Sequence, residues 1–338
     1  MPEQINHLHK PQINISCPST GRMWLVCLCA FLCVLQSAIS DGGKTLIVAL
    51  TALITALLVE FLLTCKKNRI EKIKDGSAAA TAMILTLLLP NQIHPVYVFF
   101  GAAFAIAVIK YSFGGLGSNW LNPALGGWLF IRFSWPSVFT PEGKTASISQ
   151  MVFTSNVSAV DNSITGFLNN SIFSVAEVQL PSGYIGLLFQ NEPGIITDRG
   201  LFALLLGTIV ITAIGINRGW IPLLFLGVYG FLIRLAGDIN GELWNGDVIY
   251  GIFSGGTIVS AFILAAEPAS GAKLKTGILF TVVLGAVLSW FFRYKCMEYT
   301  GCLIALALVN CLTPLVRIIE ERFFLSKKRG GKLQENLL

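Results

Sequence analysis

Apolar residues run along this chain in long blocks, with the polar residues gathered into short clusters between them. Ten blocks are apolar enough to be read as membrane helices or half-helices: 23–40, 44–64, 77–90, 96–110, 123–135, 200–216, 220–235, 248–266, 276–292 and 299–316. A full crossing takes about 20 residues, and a half-helix fewer. The first block follows a polar leader of 22 residues and lacks a small-residue cleavage site, so it reads as a retained helix. The pattern predicts an all-α polytopic membrane protein.

Composition strengthens that reading. Hydrophobic residues make up 54% of the 338 positions, charged residues 12%, and the mean hydropathy is +0.70; an ordinary globular chain is roughly 25% charged. So few charges would not cover the surface of a soluble fold of this size. The net charge of +6 does not point to nucleic acid, because the basic residues lie in short runs between apolar blocks, as in Lys66, Lys67, Arg69, Lys72 and Lys74. The cysteines form no CxxC pair, and Cys27, Cys29, Cys33, Cys302 and Cys311 fall within apolar blocks, as small packing residues do. Cys29 and Cys33 share one helix face, a spacing that would also suit a metal or cluster.

Orientation follows from Lys and Arg, which favour the cytoplasmic side. With the N-terminus inside, 17 of the 24 basic residues face the cytoplasm, so both termini are expected there. The chain then divides into an N-terminal tail (1–22), a first five-helix repeat (23–135), a long outer loop (136–199), a second five-helix repeat (200–316) and a basic C-terminal tail (317–338). The outer loop is rich in Ser, Asn and Thr and is longer than ordinary connections.

A repeat is visible in the third and eighth blocks. Gly76-Ser-Ala-Ala-Ala-Thr81-Ala-Met-Ile-Leu85 stops at Pro90, and Gly255-Gly-Thr-Ile-Val-Ser260-Ala-Phe-Ile-Leu264 stops at Pro268. Each is third in its group of five, and an odd number of crossings makes the two groups inverted relative to each other. Such repeats place their functional centre around short or broken helices near the midplane. The fifth block fits: glycines precede Asn122, a plausible N-cap, and Pro123 at the first helical position. Its dozen apolar residues make a half-helix whose positive dipole end faces the interior. A tight turn between packed helices is the alternative. Glu60, Asp75 and Glu267 are the ion-path candidates, because ionisable groups in a membrane are costly and usually functional; interfacial capping is the competing role. Arg132 and Arg234, near outer helix ends, can snorkel.

Four motifs in order resemble the NqrB/RnfD family: Lys74-Asp-Gly-Ser-Ala with Leu88-Leu-Pro90; Phe113-Gly-Gly-Leu-Gly-Ser-Asn119 with Asn122-Pro-Ala; Leu188-Phe-Gln-Asn-Glu-Pro-Gly194 leading into Leu201; and Phe253-Ser-Gly-Gly-Thr257 with Ala266-Glu-Pro268-Ala-Ser. The likeness runs from about residue 20 to 320. It implies ten helices as two inverted five-helix repeats with broken half-helices, similar to urea transporters, in the bacterial inner (cytoplasmic) membrane. It implies a subunit of a complex that couples flavin-mediated electron transfer, of the ferredoxin/NAD type, to translocation of Na+ or H+. Length favours the Rnf-type branch over the NqrB type, which usually carries a longer N-terminal region. The implied partners are the other Rnf-type subunits (A, B, C, E and G), a flavin-attaching enzyme and the lipid bilayer. The alternatives are an NqrB-like subunit of a Na+-translocating NADH:quinone reductase, or a solute channel of similar fold without a redox role.

Family members attach FMN through a phosphoester to a threonine in an Asp-x-x-[Ser/Thr]-Gly-Ala-Thr motif of the outer loop. The nearest stretch here is Asp161-Asn-Ser163-Ile-Thr165-Gly166-Phe167-Leu168. Matching Thr165-Gly166 to the Ser-Gly pair puts Leu168, which has no hydroxyl, at the acceptor position. A shortened motif makes Thr165 the acceptor; an unmodified loop is the other possibility. For a second, non-covalent flavin the resemblance points to Gly115, Gly117, Asn119 and Asn122, with the turn of Ser254, Gly255 and Thr257.

Overall fold

The computed structural model describes residues 19–40, 42–64, 73–112, 119–139, 188, 194–237, 243–244 and 246–335, with side chains through 322. Within them every one of the ten apolar blocks is helical. The helices are α1 (Ser19–Ser40), α2 (Lys44–Leu63), α3 (Ser77–Leu88), α4 (Pro95–Phe104), α5 (Pro123–Ser134), α6 (Ile196–Arg199), α7 (Leu201–Ala213), α8 (Trp220–Ala236), α9 (Val248–Phe253), α10 (Thr257–Val259), α11 (Lys275–Trp290) and α12 (Gly301–Glu335). Three continue into π-helical turns: α4 through Ala105–Tyr111, α10 through Ser260–Leu264 and α11 through Phe291–Lys295. No strand forms among the described residues; a single antiparallel bridge joins Pro90 to Ile195. Four stretches, Thr20–Ile39, Lys44–Leu63, Lys275–Lys295 and Gly301–Arg322, are long and apolar enough to cross a membrane alone, and several shorter apolar helices accompany them. The chain is a multi-pass membrane protein.

Burial along α2 runs opposite to a soluble helix. Ala49, Ala52 and Ala56 are buried, whereas Leu50, Ile54 and Leu58 are exposed. Lipid solvates a leucine as well as a protein core does, so the packing side goes to small residues that let backbones approach. Leu206 and Ile209 on α7 and Leu279 and Phe280 on α11 follow the same rule on their open faces.

α3 is the exception that organises the rest. Ala78, Ala79, Ala80, Ala82, Leu85, Leu87 and Leu88 are all buried, so it is apolar all round and enclosed all round. It packs against α1, α2 and α5; α8, α11 and α12 pack in series in the second half, and α1 bridges across to α7. Both broken segments start on a left-handed glycine: Gly76 (φ 73°) opens α3 and Gly256 (φ 73°) opens α10. A side chain at that φ costs about 1–2 kcal/mol, so the sequence commits glycine at both helix starts.

Pro95 and Pro123 each occupy a first helical turn, where the missing N–H is no loss. Asn122 caps α5 by accepting the Leu125 N–H at 3.1 Å, as its position before Pro123 predicts. The stretch 194–199, placed by sequence at the end of the outer loop, is packed inward. The Ile196 N–H donates to the Leu89 carbonyl at 2.9 Å and the Thr197 hydroxyl to the Leu87 carbonyl at 2.6 Å, seating α6 on the end of α3.

Candidate functional site

Among the described residues, three clusters of buried polar groups gather at helix ends and breaks. In the first, the Lys110 ammonium donates to Glu60 Oε1 at 2.5 Å and to the Ser77 hydroxyl at 2.6 Å. Glu60 is 1% exposed and Lys110 3%. Lys110 comes from the π-helical end of α4, Glu60 from the last turn of α2, and Ser77 is the first residue of α3. Thr64 donates its hydroxyl to the Glu60 carbonyl at 2.7 Å and pairs with the Tyr111 hydroxyl at 2.6 Å. Asp75, the residue before the Gly76 N-cap, accepts the Ser77 N–H on Oδ1 at 2.8 Å and so places its carboxylate at the start of α3.

The second cluster joins the two halves of the chain. Asn122 Nδ2 donates to Glu267 Oε2 at 2.8 Å, and the Ser270 hydroxyl donates to the same oxygen at 2.9 Å. Asn122 therefore uses both ends of its amide, the oxygen for the α5 cap and the nitrogen for the carboxylate. Asn122→Ala removes both; the expected cost is about 2–4 kcal/mol, a lost cap plus a stripped carboxylate. Thermal unfolding of the detergent-solubilised protein measures it, with Asn122→Ser, which keeps the cap, falling between the two.

The third cluster surrounds Arg293, which is 0% exposed. Its Nη1 donates to the Ser254 carbonyl at 3.0 Å and the Gly251 carbonyl at 3.4 Å, and its Nη2 to the Ser254 hydroxyl at 2.6 Å. The guanidinium also lies over the rings of Tyr299, Tyr250 and Tyr294, at 5.4, 5.7 and 5.9 Å from their centroids. Asp198 on α6 accepts from the Tyr299 hydroxyl at 2.7 Å and from the Gly256 N–H at 3.4 Å. α9 ends at this arginine because it satisfies the carbonyls that the break leaves open.

The site residues expected from sequence are not gathered in one place. Thr165, Gly115 and Gly117 lie outside the described residues. Asn119 is 3% exposed, and its Oδ1 has no hydrogen-bond partner among the described residues. Asn122 sits with Glu267, whereas Ser254, Gly255 and Thr257 sit around Arg293. Ser254 spends its hydroxyl on Arg293 and the Tyr250 carbonyl, and Thr257 spends its own on the Gly251 and Ser254 carbonyls. Glu60, Asp75 and Glu267 are likewise spread over two clusters. Arg132, expected to snorkel, pairs with Glu298 at 2.8 Å and lies over the Phe139 ring.

Lys110, Arg293, Asp198 and Tyr299 carry two of these clusters, and sequence reading missed all four. Lys110 closes the apolar block 96–110, where a lysine ordinarily marks the cytoplasmic side, so its position alone gave no signal. Asp198 had none either, since its loop position gives no hint of burial.

A family model described as the NQR2, RnfD, RnfE family matches residues 7–324. The chain belongs to this family. Over 299 residues it is 29% identical to the D subunit of the proton-translocating ferredoxin:NAD(+) oxidoreductase complex of Clostridium ljungdahlii, covering 87% of this chain and 88% of that protein. It is 30% identical to the D subunit of the ion-translocating oxidoreductase complex of Aeromonas hydrophila (86% and 89% covered). It is 32% identical to the protein of the same name in Alcanivorax borkumensis (75% and 76%). The four sequence motifs, the three buried clusters and the broken helices all lie inside the matched span.

Proposed function

We infer that this chain is the D-type membrane subunit of an Rnf-type complex, which couples electron transfer between ferredoxin and NAD to cation movement across the bacterial inner membrane. The observation that carries the reading is the family match over 7–324, with relatives named as D subunits of ion-translocating complexes. The ten helical blocks form two inverted repeats of five, with both termini cytoplasmic. Supporting this, a π-helical turn in each half brings a buried cation to a serine beside a left-handed glycine: Lys110 to Ser77 beside Gly76, and Arg293 to Ser254 near Gly256. Composition alone does not produce that match.

Within this reading Glu60 and Glu267 are the carboxylates of the ion path, and Asp75 is engaged with the first N–H of α3. A flavin supplies the one- and two-electron chemistry of such complexes, and the protein binds, orients and insulates it. Thr165 is the hydroxyl that would carry FMN. Asn119 fits a second flavin, because a buried amide oxygen with no partner among the described residues accepts an N–H from a ring edge. Ser254 and Thr257 fit poorly, their hydroxyls being already engaged.

Two measurements test the reading. The chain, expressed with its flavin-attaching enzyme, is expected to give a flavin-fluorescent band in a denaturing gel that Thr165→Ala abolishes. A band that persists moves the acceptor elsewhere. Affinity purification through this chain is expected to bring down the other subunits with ferredoxin-dependent NAD reduction. Solute flux through the chain alone in liposomes, with no redox partner, would instead favour the channel reading.

A further inference from the structure

Lys110 sits where its charge alone would not choose to be. Its ammonium is 2.6 Å from the hydroxyl of the first residue of α3, and a helix start carries roughly half a positive charge from its unpaired N–H groups. Burial also strips the ammonium of its hydration. Among the described residues the ammonium has two partners, Ser77 and Glu60, and Glu60 at 2.5 Å is its only ion pair. Asp75, the other carboxylate at this helix start, is engaged with the Ser77 N–H. The backbone beneath Lys110 is the π-helical turn Ala105–Tyr111. Such turns recur at functional sites, and a return to α-helical winding would shift the side chain by about one residue, roughly 100° around the axis.

We propose that Lys110 is a tethered counter-cation: its ammonium holds the cation position on the Glu60 carboxylate, and a transported cation gains that carboxylate only as the ammonium leaves. The proposal rests on the ion-translocating reading above and deepens it. One buried carboxylate does not support two cations. A proton or Na+ that neutralises Glu60 removes the ammonium's ion-pair partner, while Asp75 stays engaged with the Ser77 N–H, so the ammonium is no longer held at the helix start. Cation arrival and Lys110 departure are thereby linked, each favouring the other by the same free energy. Arg293 shows the contrast. It has no carboxylate within ion-pair distance among the described residues and is held by three hydrogen bonds to the Gly251–Ser254 turn, so it is a fixed charge.

The test uses inverted membrane vesicles carrying the whole complex, with 22Na+ uptake and dye-reported H+ uptake followed during ferredoxin-driven NAD reduction. The double variant Glu60→Gln with Lys110→Met removes both charges at nearly constant volume. Uptake per assembled complex, at unchanged flavin content and subunit stoichiometry, is expected to fall about tenfold or more. Lys110→Arg keeps the charge, but its fork grips the carboxylate through two bonds, and uptake is expected to slow by a similar factor. Wild-type uptake in both variants would overturn the proposal and leave the pair purely structural. Wild-type vesicles that reduce NAD while moving neither cation would overturn the underlying reading instead.

Discussion

Arg293→Met is expected to cost about 3–5 kcal/mol, through the loss of three buried hydrogen bonds from a charged donor. The guanidinium satisfies two backbone carbonyls and one hydroxyl at the break between α9 and α10, and the methionine thioether donates to none of them. It also lies over three tyrosine rings, contacts worth about 0.5–2 kcal/mol each where desolvated. Arg293→Lys keeps the charge but replaces a planar fork with one compact donor, so recovery is expected to be partial, leaving a deficit of about 1–3 kcal/mol. Arg132→Met is the control. Its pair with Glu298 is partly solvated, with side chains 21% and 24% exposed, and its loss is expected to stay near or below about 1 kcal/mol. Thermal unfolding in detergent, followed by tryptophan fluorescence, ranks the three; equal effects of Arg293→Met and Arg132→Met would contradict this account of the third cluster.

Glu60→Gln is the second large effect. The amide leaves the Lys110 ammonium buried beside a helix start without its ion-pair partner, at an expected cost of about 3–5 kcal/mol. Adding Lys110→Met to it is expected to recover most of that stability, since an apolar side chain needs no partner. The two changes are therefore strongly non-additive, with a coupling energy well above the few tenths seen between independent sites. Additive losses in the same unfolding assay would show that Glu60 and Lys110 act separately.

The fold was legible wherever one local rule decided the outcome. Asn122 followed by Pro123 announced a capped helix start, and that cap forms. The apolar blocks announced the helices because length and hydropathy suffice for a helix in lipid. Glu60 was legible as a carboxylate inside an apolar block. Its partner was not, because Lys110 at the end of 96–110 resembles any lysine that marks the cytoplasmic side, and periodicity does not reveal a π-helical turn. Asp198 and Tyr299 were out of reach for another reason: they meet across about a hundred residues of chain, and only the inward packing of α6 on α3 brings them together. Arg132 was read as a snorkelling side chain because its partner, Glu298, belongs to the far end of the sequence.

The central claim is that this chain couples electron flow to cation movement. The most direct measurement is ferredoxin-driven cation uptake in inverted vesicles from cells lacking the chain, with and without its restoration. The account predicts that uptake of Na+ or H+ and ferredoxin-dependent NAD reduction are both lost without the chain and both return with it. NAD reduction and cation uptake at full rate in vesicles that lack the chain would contradict it.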